Sequence, residues 1–205
     1  MTRRGWVLFA AMAVIWGIPY LLIKVAVADL TPISLVLLRT VVGALMLVPL
    51  AAARGSLTPL LRRWKWVLAY TLVEVAVPWL LLSNAERHLT SSLTGLLIAA
   101  VPLIGAVLTV AMGNDSDRLD ARRAAGLAIG FLGVAALLGL DFSAVDLGAV
   151  AQVGLVAVGY AIGPMIVARR LAGVPSLGVV AASLGLTALV YAPVGVLHSR
   201  TRCRR

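Results

Sequence analysis

Three ionisable side chains stand where such groups are costly. Lys24 lies in "IWGIPYLLIKVAV", Arg39 in "ISLVLLRTVVGALMLVPLA" and Glu74 in "WVLAYTLVEVAVPWLLL", all strongly apolar runs. A charge in hydrocarbon needs a partner, a water-filled cavity or a route back to the surface. Glu74 is the deepest, about ten residues into its run. Pro78, four residues on, removes the backbone bond to the carbonyl of residue 74, so the helix is predicted to be perturbed beside the carboxylate. Two roles fit: neutralising Arg39, or lining a pathway where the carboxylate exchanges a proton or pairs with a cationic solute. Arg39 is seven residues into its run, roughly 10 Å deep at 1.5 Å per residue, too deep for easy snorkelling. It is expected to face inward, pairing with Glu74, capping helix-end carbonyls or touching a solute. Lys24 is four residues from its end, roughly 6 Å, and reads as an interfacial anchor.

Trp16, Gly17 and Pro19 mark a bend in the first run, glycine and proline being established causes of helix kinks. Trp16 and its counterpart Tyr160 (below) read equally as pathway aromatics or as ordinary packing. Ser91, Ser92 and Thr94 open another run and read as its cap. Gly126, Gly130 and Gly133 place small residues on one helix face, a packing surface within the chain or a contact with a second copy in a homodimer. Enzyme chemistry finds no support. His88 and His198 sit at run ends without metal-ligand spacing, His88 reading as a solvated loop residue, and no glycine-rich loop follows a strand. The single cysteine, Cys203, excludes an internal disulfide. No metal and no cofactor are expected.

The elements that must position these residues are helices in a bilayer. Hydrophobic residues make up 61% and charged residues 13% of the chain, with mean hydropathy +1.03. Seven runs approach the roughly 20 residues a span requires: 6–28, 32–53, 65–83, 91–112, 124–140, 147–168 and 176–197. They are too long for strands and show no alternation, so the fold class is all-α integral membrane. The first run is too long, and too interrupted by Pro19 and Lys24, for a signal peptide. The net charge of +10 resides in loops and calls for no nucleic acid. Arg3, Arg4, Arg54, Arg62, Arg63, Lys65, Arg118, Arg122, Arg123, Arg169 and Arg170 fall on the N-terminal side, against Arg87 alone on the other. The positive-inside rule makes the N-terminus cytoplasmic. Arg200, Arg202, Arg204 and Arg205 then fall outside, contrary to that rule, so either the last run does not cross or 198–205 is a tail foreign to the rest.

The chain also repeats itself. Pro19 matches Pro164 at an offset of 145, Pro32 matches Pro175 at 143, Pro49 matches Pro193 at 144 and Trp16 matches Tyr160 at 144. Five spans lie within that offset, and an odd number inverts the second copy, the arrangement of many secondary transporters. No cation matches Arg39 in the second copy, where Ala182 stands.

The segments "VIWGIPYLLIKVAV…TPISLVLLRTVVGALMLVPLA", "NAERHLTSSLTGLLIAAVPLIGAVL" and "GLAIGFLGVAALLGL" resemble the EamA-type drug/metabolite transporters. The resemblance implies ten spans in two inverted five-helix repeats, with the region from Trp16 to Pro19 facing a central cavity and so joining the pathway candidates. It also implies export of small metabolites or drugs by alternating access across a bacterial cytoplasmic (inner) membrane. On that pattern, 1–140 forms a first repeat, 141–197 a partial second repeat and 198–205 a tail foreign to it, so the chain is expected to be C-terminally truncated. The partners implied are lipid and an unknown small-molecule solute. The competing expectation is a product that inserts in the membrane without transporting alone. A seven-helix receptor fits poorly, given a cytoplasmic N-terminus and no lysine in the last span for a Schiff base.

Overall fold

The computed structural model describes residues 3–112, 125–126, 128–130, 132–133, 136 and 146–202, the side chains of 3, 194 and 196–202 excepted. Every element named here is helical: α1 (Arg3–Asp29), α2 (Pro32–Ala53), α3 (Thr58–Leu61), α4 (Trp64–Tyr70), α5 (Val77–Ala85), α6 (Ser91–Ile98), α7 (Val101–Ala111), α8 (Leu147–Arg170) and α9 (Ser176–Arg202). Six stretches are long and apolar enough to span a bilayer: Arg4–Asp29, Pro32–Ala53, Trp64–Ala85, Ser91–Ala111, Leu147–Arg170 and Ser176–Pro193. The protein is an all-α, multi-pass membrane protein. These match six of the seven expected runs; the fifth, 124–140, falls largely outside the described residues. So do Arg118, Arg122, Arg123, Cys203, Arg204 and Arg205, and the side chains of His198, Arg200 and Arg202.

Helix starts follow ordinary capping chemistry. The Thr31 hydroxyl accepts from the Ser34 amide, with Pro32 opening α2, and Asp146 accepts from the amides of Gly148 and Ala149 to open α8. Thr90 caps α6 by accepting from the Leu93 amide. The cap is thus Thr90 rather than the residues expected for it: Thr94 is buried and its hydroxyl donates back to the Thr90 carbonyl. Buried hydroxyls elsewhere do the same, Thr40 to Val36, Thr71 to Val67, Ser183 to Val179 and Thr187 to Ser183. An apolar surrounding offers no other acceptor. Gly55, φ +63°, turns the chain after α2, a conformation a Cβ would strain.

Two spans are broken. Between α4 and α5, Thr71–Ala76 forms a π-helical turn, with the Val77 amide bonding the Leu72 carbonyl five residues back. The perturbation expected beside Glu74 therefore takes the form of a register change that accommodates Pro78 without ending the span. The fourth span breaks at Ala99–Ala100, with Pro102 in the first turn of α7. The first span, by contrast, stays helical through Pro19.

Contacts at the ends order the helices. Met112 meets Arg169 at one face of the bundle, together with Arg63 and Arg170; His88 meets Asp146 at the other, together with Lys24 and Glu86. The first is called the near face here, since α1 begins there. α1 therefore runs near to far and α8 far to near, and α2 and α9 are antiparallel. This last pair packs most extensively, because glycines let it close: Gly43 meets the Leu184 side chain, Gly195 meets Leu37 and Gly178 faces the Ser56 carbonyl.

Candidate functional site

The broken spans, together with α1, α2, α8 and α9, line a partly open cavity of about 1160 Å³. Its wall includes Trp16, Pro19, Tyr20, Arg39, Tyr70, Glu74, Trp79, Tyr160 and Ser183 among mainly aliphatic residues. All five residues singled out from sequence as pathway candidates, Trp16, Pro19, Arg39, Glu74 and Tyr160, stand on this one wall, brought together from α1, α2, the third span and α8. Ala99, Val101 and Pro102 bring the fourth-span interruption to the same space.

The two buried charges do not meet. Arg39 lays its guanidinium over the Trp79 ring, 4.3 Å from the centroid, and its Nη1 has no hydrogen-bond partner among the described residues. Glu74 Oε2 is likewise buried and unpartnered. The expected Arg39–Glu74 ion pair is therefore absent among the described residues. Arg39 finds an aromatic face instead, a contact that a planar, weakly hydrated cation makes well. Tyr160 lies within electrostatic reach of Tyr20, Glu74 and Arg39, and so joins the two charges from the α8 side.

Two glycines of α8 make this closeness possible. A Cβ on Gly163 would collide with the Glu74 carboxylate, and one on Gly159 with the Val73 carbonyl of the π turn. Their spacing in "GYAIG" is the small-xxx-small pattern of close helix packing, a signal the sequence carried and the glycine stripe of the fifth run drew attention from. In that stripe Gly130 packs against Leu103, whereas Gly126 and Gly133 have no described atom within 4 Å. On the far side of the π turn, the Tyr191 hydroxyl donates to the Ala76 carbonyl at 3.1 Å.

Polar clasps close both ends of the bundle. At the near face Arg63 donates to the carbonyls of Arg170 (2.7 Å) and Ala172 (3.0 Å), while Arg170 covers the Trp66 ring at 4.6 Å. At the far face Asn84 donates to Gln152 (2.9 Å) and His88 approaches Asp146 (3.6 Å). Lys24 is part of this clasp: its ammonium donates to the carbonyls of Glu86 (2.7 Å) and Leu89 (2.8 Å). The anchor expected from its depth is thus fastened to backbone. No group of three or more His, Cys, Asp or Glu that could hold a metal occurs among the described residues.

Residues 3–139 match the model of the EamA-like transporter family. The chain is also 25% identical over 186 residues to an uncharacterized transporter, YvbV, of Bacillus subtilis (strain 168). That match covers 88% of this chain and 59% of the relative, so the chain spans less than two thirds of that protein's length. No solved structure matches.

Proposed function

The chain belongs to the EamA-like transporter family, and from that premise we propose that it is a secondary transporter exporting a small organic solute, a metabolite or a drug, by alternating access. One observation carries the reading. A mid-depth cavity of about 1160 Å³ presents a cation and a carboxylate, each with a buried atom unpartnered among the described residues. Orphaned buried groups are costly, and a solute bearing complementary polar groups relieves both at once. Interrupted helices supply part of the wall, as in transporters whose sites lie between repeats. The opposite directions of α1 and α8, and the antiparallel α2–α9 pair, support an inverted repeat of 1–140 and 141–197. The clasps at the two faces are hydrogen bonds and ring contacts that can exchange as one face opens. The basic near-face loops support a cytoplasmic N-terminus in a bacterial inner membrane.

Everted membrane vesicles energised with a proton gradient test this. They should accumulate a probe solute, with ethidium representing organic cations and radiolabelled leucine or uridine representing metabolites. Glu74→Gln should lower that accumulation at least about tenfold, the loss of one charge-assisted contact, with unchanged protein level in the membrane. Full accumulation by Glu74→Gln would remove Glu74 from the pathway.

A further inference from the structure

A second acid, just past the end of the same span, takes no part in the cavity. Glu86 follows Ala85, the last residue of the third span, at the far face. It is 0% exposed, and neither carboxylate oxygen has a hydrogen-bond partner among the described residues. A carboxyl kept only for structure is normally paired or caps a helix. The cation that could pair with it is engaged elsewhere. Lys24 spends two of its donors on main-chain carbonyls, including that of Glu86 itself. Burial pushes the Glu86 carboxyl up to about 7, and the field of Lys24 opposes this only in part.

Among the described residues, two ionisable groups are shown to act on it. Lys24 and Tyr20 face it from α1. At the same face Asp146, ahead of α8, is committed to its own helix cap and to His88. The far turn of α2, from Thr31 to Leu35, brings no charge. Arg87 and His88 of its own segment are exposed. Tyr20 also lines the cavity, within electrostatic reach of Tyr160, which is in turn within reach of Glu74. The two carboxyls, twelve residues apart along the chain, roughly 18 Å by helical rise, are thus linked by a pair of tyrosines.

We propose that Glu86 is a proton-binding site, separate from the solute cavity, that couples solute movement to protons entering from the far face. Its carboxylate takes a proton from hydronium, forming the O–H bond and leaving water, and returns that proton to water when it ionises. The neutral acid leaves Lys24 on the carbonyls of Glu86 and Leu89, holding α1 to the end of α5. The carboxylate competes with those carbonyls for the ammonium and loosens that clasp. The coupling role rests on the transporter reading; the proton site does not.

Proton uptake decides the site directly. Purified wild type and Glu86→Gln, titrated between pH 5 and 9 in detergent, should differ by one proton with a midpoint near 7. Glu86→Asp should restore that proton at a shifted midpoint. A wild-type titration indistinguishable from that of Glu86→Gln over this range would overturn the site, whatever the protein transports. In everted vesicles, gradient-driven accumulation of the probe should fall at least tenfold in Glu86→Gln and recover in Glu86→Asp. Accumulation by Glu86→Gln with the wild-type pH profile would overturn the coupling and leave the reading of the cavity standing.

Discussion

At the scale of single residues, depth in a span was readable from sequence and partnership was not. Lys24 was placed near an interface by counting, yet its partners are carbonyls 62 and 65 residues away, which no local pattern reveals. Arg39 needed a partner at its depth, and the sequence offered Glu74; the fold supplied the Trp79 ring, five residues along the same span. Glu86 escaped notice altogether, because "NAERHLT" reads as a solvated loop until helices close over it. Its burial has a consequence for stability whose sign is fixed. The carboxyl titrates at 4.5 when unfolded and at about 7 when folded, so the folded state holds the extra proton between those values. Stability is therefore unaffected below pH 4.5, falls as pH rises through the window and is lowest above 7. The full penalty is on the order of 3 kcal/mol, from about 1.4 kcal/mol per pH unit. Glu86→Gln removes it. The variant should melt at a higher temperature than wild type at pH 8 and at the same temperature at pH 4, by fluorescence-monitored unfolding in detergent. A variant less stable than wild type at pH 8 would show that the carboxylate is satisfied where it lies.

At the scale of elements, the break in the third span was legible because proline acts locally: Pro78 lacks the donor that residue 74 requires. Its form, a π turn over Thr71–Ala76, depends on what packs against it. α8 does so through Gly159 and Gly163, and the backbone of the π turn cannot yield to a side chain as a flexible group would. Gly159→Ala, which sets a methyl against the Val73 carbonyl, should cost about 1–3 kcal/mol and reduce transport with it. Gly154→Ala, five residues earlier on the same helix with no described atom within 4 Å, should be neutral or slightly stabilising in the same melts. Equal effects of the two would show that helix propensity, and not close approach, governs α8. The interruption of the fourth span could also have been read from Pro102, one residue past Val101 in an otherwise continuous apolar run.

At the scale of the whole molecule, the all-α membrane architecture was the most legible feature, since hydrocarbon forces every backbone group into internal hydrogen bonds and lets span length be counted. How the helices group was less so, because lipid-facing and helix-facing apolar residues look alike in sequence. Trp16 shows this, lining the cavity while remaining 56% exposed. Direction in the membrane rests on charge: Arg62 and its basic neighbours project from the near face, and Arg87 projects from the far one. If the near face is cytoplasmic, a membrane-impermeant maleimide added to intact cells should label Arg87→Cys and leave Arg62→Cys unlabelled, each in a Cys203→Ser background. Both positions are exposed, so permeabilised cells should label both and exclude burial as the cause of protection. Labelling of Arg62→Cys alone in intact cells would invert the protein. Glu86 would then bind its protons from the cytoplasm.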